Sequence, residues 1–151
     1  MRTPVFIALC ALLGAFTLLP SCSTIWDPTA QQQAKESVIA ITVASRVRND
    51  PKPPQRENAY KAAVVVLDEF IASGNTDSDE LRKELYSGIS KVLSPALSLA
   101  LVDEIMLAVT DAAGSVKDPE KLLQAEKTIR NGISAGLVSS GQPAVVTSSK
   151  K

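Results

Sequence analysis

The chain has 151 residues, 45% of them hydrophobic and 21% charged, with sixteen acidic and sixteen basic side chains and no histidine. That length and apolar fraction suit a single domain with a real core rather than a disordered chain. The missing histidine excludes serine–histidine triads and the commonest transition-metal ligand, and balanced charge without a basic, aromatic-interleaved stripe argues against nucleic acid as a partner.

The amino-terminal segment comes first. Arg2 and the free amine make a small positive start, Val5 to Leu19 are almost continuously apolar, and Pro20-Ser21 break the run before Cys22. Charged, apolar and small-residue regions in that order have the form of a secretory signal. A membrane span needs about 20 apolar residues, and Gly14 and Pro20 weaken that reading further. A leucine three residues before a cysteine, with a small residue immediately before it, is supplied here by Leu19 and Ser21, and resembles the lipidation signal of bacterial lipoproteins.

The resemblance covers residues 1–22 alone. It implies a signal peptide of residues 1–21, cleavage between Ser21 and Cys22, and acylation of Cys22, with chains such as palmitate, as the first residue of the mature protein. One acyl chain, at about 0.8 kcal/mol per buried methylene, binds only marginally, whereas two or more anchor stably. Ser23, rather than an aspartate, resembles the pattern of outer-membrane lipoproteins; the alternative is retention on the inner membrane. Cys10 would leave with the signal and Cys22 would be capped, so no free thiol would remain for disulfides, thiol catalysis or a cysteine metal site. All sixteen acidic residues and fifteen of the sixteen basic ones lie after residue 21, which leaves the mature chain at a formal −1.

Residues 22–28 read as the lipidated cysteine and a short linker, reaching only ~20 Å when extended at about 3.3 Å per residue. Ile25 and Trp26 suit the membrane interface, or else pack on the domain. A helical domain is expected over 29–138. Asp27-Pro28 resembles a helix start, and Ile39, Ala40, Val43, Ala44 and Val47 recur at helical spacing. The β-branched run Ser37 to Val43 could be a buried strand, but no strand partner is visible elsewhere. Asn49-Asp50 and the prolines at 51, 53 and 54 end the element.

The second helix spans about Pro54 to Ser73, with Tyr60, Ala63, Val64, Leu67, Phe70 and Ile71 on one face and Gly74-Asn75 as its stop. Asp77 and Glu80 have the spacing of a capping box opening a third helix, whose apolar face runs Leu81, Leu85, Ile89, Val92. Ser94-Pro95 read as cap and first residue of a fourth helix. That helix is apolar nearly all round, with Leu97, Leu101, Ile105 and Ala108 on one side and Leu99, Val102, Met106 and Val109 on another, and is expected to be central. Asp118-Pro119 open a fifth helix with the stripe Leu122, Ala125, Ile129, Ile133, Leu137. Gly132 and Gly136, one turn apart, point to close local packing or a fraying helix end more than to an oligomer contact. Residues 139–151 read as a disordered tail, and Lys150-Lys151 as solvated or attracted to anionic lipid. The predicted class is therefore all-α, a small bundle of about five helices.

No constellation of catalytic, cofactor-binding or metal-ligating residues emerges. The pairs Asp68-Glu69 and Asp103-Glu104 sit in similar strings, but adjacent residues point about 100° apart on a helix and cannot converge on one ligand. They read as solvated faces rather than as a carboxylate site. Ser90 beside Lys91 lacks the glycine elbow of a serine nucleophile. The expectation is a non-enzymatic lipoprotein facing the periplasm, anchored to membrane lipid through Cys22, whose helical domain serves interaction or scaffolding with envelope proteins or with itself. The alternatives are a carrier or sensor for an apolar ligand, or a phage-derived envelope or lysis lipoprotein.

Overall fold

The computed structural model describes residues 28–114 and 117–141, and so leaves the lipidation signal, Ser21 and Cys22 among it, outside the described residues, together with most of the expected tail. The chain divides between Gln31 and Gln32, and before that point only the opening turn of one helix is described. Five helices and no strand make up the described residues: α1 (Pro28–Asn49), α2 (Pro53–Ser73), α3 (Ser78–Ile89), α4 (Pro95–Ala113) and α5 (Pro119–Ser139). The protein is thus all-α, and the β-branched run from Ser37 to Val43 is helical.

Punctuation in the sequence sets the helix ends. Asp50 accepts hydrogen bonds from the Lys52 amide and from Arg56 Nε, both at 2.8 Å, which ties the α1–α2 turn to the first turn of α2. The Arg56 guanidinium and that amide hold the Asp50 carboxyl below its ordinary pKa. α2 and α4 stop at Gly74 and Gly114, whose φ of 66° and 64° is the left-handed conformation a side chain resists. Asp77 caps α3 by accepting from the amides of Asp79 and Glu80. The expected capping box is only half present, because Asn75 rather than Glu80 takes the Asp77 amide, while the Asn75 side-chain amide donates to Glu80. Asp118 caps α5 in the same manner through the amides of Glu120 and Lys121. Replacing Asp77 with alanine orphans two amides of α3, and chemical denaturation is expected to show a loss of about 1 kcal/mol.

α2 packs on α3, α3 on α4, α4 on α5 and α5 on α2, which closes a four-helix ring. Its centre is filled by Tyr60, Leu67, Leu81, Leu85, Leu101, Leu122, Ile129, Ile133 and Leu137, each at most 1% exposed. α1 lies outside the ring, burying Val43, Ala44 and Val47. Two sequence expectations are corrected. α3 ends at Ile89, so Leu93 rather than Val92 joins the core from the following turn. α4 is not covered on all sides: Leu97, Leu99 and Leu107 are 47%, 49% and 63% exposed, while Ser98 is fully buried. The register that sends Leu101, Val102, Ile105 and Val109 inward places position 98 on the core stripe and turns its neighbours about 100° away to either side. The Ser98 hydroxyl is satisfied there by donating to the carbonyls of Ser94 and Leu93.

Candidate functional site: an apolar groove beside α1

Helix α1 leans on α5 and stands off α4. Gly132 and Gly136 make the first contact close: a Cβ placed on Gly132 would lie 2.6 Å from Ile39 Cβ, and one on Gly136 2.6 Å from Val43 Cβ and 2.7 Å from the Ala40 carbonyl oxygen. The two glycines therefore serve close packing within the chain, and the helix continues through both of them. Polar contacts flank the seam. Gln124 donates to Gln32, Asn131 donates to Glu36, and Arg48 donates to the Ser139 carbonyl. Because these pairs advance together along both helices, α1 runs parallel to α5, whereas it is antiparallel to α4.

The opposite seam, between α1 and α4, is open. Its facing positions include Ala34, Ala108 and Ala112, whose methyl groups are too short to close it. Two adjoining pockets of about 370 and 410 Å³ share Val38, Ile39, Ala108, Asp111 and Ile129, and Tyr60 and Ile133 contribute to the second. Volumes of this order fall in the range of small-ligand sites, about 300–1,000 Å³. Two polar clasps cross the seam. Lys35 Nζ donates to the Ala112 carbonyl at 3.1 Å, and Arg46 pairs with Glu104 at 3.0 Å. Eleven residues of α1 separate them, or about 16 Å at 1.5 Å per residue. On the rim, Val38 and Leu107 are 64% and 63% exposed, and Ile41 on the outer face of α1 is 71% exposed.

One wall of this groove carries an unusual polar group. Tyr60 is 1% exposed, and its hydroxyl has no hydrogen-bond partner among the described residues. Burial, and next the charge of Glu104, push its pKa up to about 12, so the phenol is a standing donor. Glu104 itself is raised by burial, against the pull of Arg46. Most buried polar groups in folded proteins are paired, because an unpaired one costs about 1–3 kcal/mol.

The carboxylate pairs do not converge. Asp68 takes a two-pronged contact from Arg130 on α5, at 2.7 and 3.1 Å, and Glu69 is exposed. Asp103 pairs with Arg82 on α3, and Glu104 with Arg46 on α1. Asp68 and Glu104 thus tie helices together from half-buried positions, whereas Asp103, though paired, lies with Glu69 on a solvated face. No group of three or more metal-ligating side chains occurs among the described residues. Ser90 donates to the Ser87 carbonyl at the end of α3.

The buried, unpartnered groups that escape the sequence reading are the Tyr60 hydroxyl, the Ser134 hydroxyl and Glu126. Glu126 is fully buried on α5 with both carboxylate oxygens unpartnered, and burial pushes its pKa up to about 7. Its signal is present, since 126 lies four residues after Leu122 and three before Ile129 on the same stripe. No described helix is long and apolar enough to cross a membrane. Comparison with protein-family models, with curated proteins and with solved structures finds no match to the chain.

Proposed function

We propose that the chain is a lipid-anchored, non-enzymatic protein of the bacterial envelope, held through Cys22 on the outer rather than the inner membrane, whose helical domain is a binding module. The observation that carries the second half of this reading is the α1–α4 groove. It is an apolar channel clasped at two points by Lys35 and Arg46, with Val38 and Leu107 left in water at its rim. The first half rests on Leu19-Pro20-Ser21-Cys22 and its likeness to the lipoprotein signal. Such a groove suits an apolar group brought from a nearby bilayer. The second reading, docking of an envelope protein or another copy, draws on Ile41, whose exposure lies outside the groove and enlarges the apolar face.

Two measurements test the proposal. Intact mass of the protein from membranes is expected to show loss of residues 1–21 and added acyl chains, and Cys22→Ser to abolish both; an unmodified thiol on a water-soluble chain rejects the anchor. A photoreactive benzoylphenylalanine in place of Leu107 is expected to give an adduct in intact cells, and the same group in place of exposed Lys83 on α3 is not. The adduct's mass separates lipid from protein. Equal labelling at the two positions, or none at either, counts against the groove as the binding surface.

A further inference from the structure

Resting on the anchor at Cys22 in that reading, we propose that the outer face of α1 is a second membrane contact, which lays Ala34, Val38 and Ile41 on an anionic bilayer between Lys35 and Arg48. The face follows from how α1 is held. Ile39 and Val43 turn toward the glycines of α5, and Val47 is buried. At 3.6 residues per turn that register sends positions 34, 38, 41 and 45 to the far side, and all four are exposed. Ile41 and Val38 are the most exposed large apolar side chains among the described residues.

The partner follows from charge and from the tether. α1 carries Lys35, Arg46 and Arg48 against one acid, Glu36, which is turned to α5 and accepts from Asn131. Arg46 is paired with Glu104. Lys35 and Arg48 instead donate to the neutral main-chain carbonyls of Ala112 and Ser139, which satisfies donors without cancelling charge. Basic side chains so placed are drawn to anionic lipid, and their stems can lie along its surface. Glu104 and Asp111 lie across the seam on α4, so the same attraction turns α1 to the lipid rather than α4. Pro28 follows Cys22 by six residues, ~20 Å at most when extended at about 3.3 Å per residue, so α1 starts beside the bilayer. Two exposed apolar side chains are a weak contact for a free protein. On an anchored chain the tether supplies the effective concentration that makes a weak contact count.

The test uses the full chain, purified from membranes into vesicles of phosphatidylcholine and phosphatidylglycerol. Ser45→Cys on the outer face of α1 carries an environment-sensitive fluorophore, and Lys83→Cys, exposed on α3, carries the same group as reference. The label at 45 is expected to be quenched by nitroxide lipids and shielded from iodide, and the label at 83 to show the reverse. Ile41→Asp is expected to abolish lipid quenching at 45 and to keep the wild-type melting temperature, because position 41 is exposed in the fold. Arg48→Gln is expected to weaken the contact roughly fivefold, the effect of one basic side chain at an anionic surface. If the two labels respond alike while the protein sediments with the vesicles, the proposal is overturned and the anchor stands. Shielding from iodide without lipid quenching assigns the face to a protein partner or a second copy, and overturns it equally. Quenching indifferent to Ile41→Asp does the same. A chain that does not stay with the vesicles rejects the anchor and the proposal together.

Discussion

Replacing Glu126 with methionine is expected to stabilise the protein by about 3 kcal/mol at pH 8 and to abolish most of the pH dependence of its stability between pH 4.5 and 7. The carboxyl is fully buried on α5 with neither oxygen bonded, and burial raises its pKa from the ordinary 4.5 to about 7. In the unfolded chain the group ionises near 4.5; in the folded protein it holds its proton until about 7. Between those values the native state binds more protons than the unfolded one, so stability falls as pH rises. Below the window both states are neutral and the penalty for burying the charge is absent. Above it both are ionised, and the full penalty is in place, about 1.4 kcal/mol for every tenfold difference in proton affinity between the folded and unfolded carboxyl. Denaturant titrations of wild type and Glu126→Met at pH 4, 5.5, 7 and 8 check this: the wild-type curve should descend across the window and level off, while the variant keeps only the smaller descent that the raised Glu104 carboxyl contributes. A wild-type stability independent of pH through that range would mean the carboxyl finds a partner or water. Glu126→Gln separates charge from cavity filling, since it removes the titration but leaves a buried amide without partners and so gains less.

Glu126 also shows where sequence reading stops. The apolar stripe Leu122, Ile129, Ile133, Leu137 locates the buried face of α5 correctly, and position 126 falls on that face by the same spacing. A charged residue there goes unread, because the periodic signal is taken from apolar residues and a glutamate breaks the pattern it belongs to. The α4 helix fails in the opposite way. With apolar side chains at 97, 99, 101, 102, 105, 106, 107 and 109, composition carries almost no directional information, and only packing decides that Ser98 goes in while Leu97, Leu99 and Leu107 remain in water. Helix boundaries, by contrast, are legible because proline, glycine and aspartate act locally through φ and through orphan amides. They need no knowledge of the rest of the fold.

The groove is legible in its parts but not as a whole. Scarce aromatics and many alanines hint at space between helices, and the one-turn spacing of Gly132 and Gly136 hints at a close approach. Neither hint names α1 as the helix that approaches, or α4 as the helix left behind. That Tyr60 reaches the same wall from α2, with its hydroxyl unspent, depends on side chains from four helices meeting at one place. Sequence spacing describes one helix at a time, so a site of this kind emerges only after assembly.

The three glycines inside helices are expected to respond to alanine with opposite signs. Gly88→Ala should stabilise by up to about 1 kcal/mol, the difference in helix propensity, because its new methyl group meets one Val66 methyl at 3.0 Å, which gives by a few tenths of an ångström, and the Ala62 carbonyl oxygen only at 3.9 Å. Gly132→Ala and Gly136→Ala gain the same propensity but drive a methyl group to 2.6 Å from the Cβ atoms of Ile39 and Val43, and at Gly136 also against a backbone carbonyl of α1. Cβ and carbonyl atoms move only with their backbone, so α1 must shift bodily. Overpacking of this kind costs roughly 1–3 kcal/mol at each position, which outweighs the propensity gain. Leucine at 136 goes further and should detach α1, with loss of most of the burial of Val43 and Val47, worth about 3 kcal/mol or more together. Denaturation gives the signs, and hydrogen exchange gives the mechanism: amides of α1 after Gln32 should exchange faster in Gly136→Leu while those of α2 to α5 keep their protection. Uniform loss of protection across all five helices would instead mean that α1 is part of the cooperative core. Since the open α1–α4 seam exists only because α1 is drawn onto α5, the same variant should also lose the adduct at position 107. That couples a packing contact on one side of α1 to binding on the other.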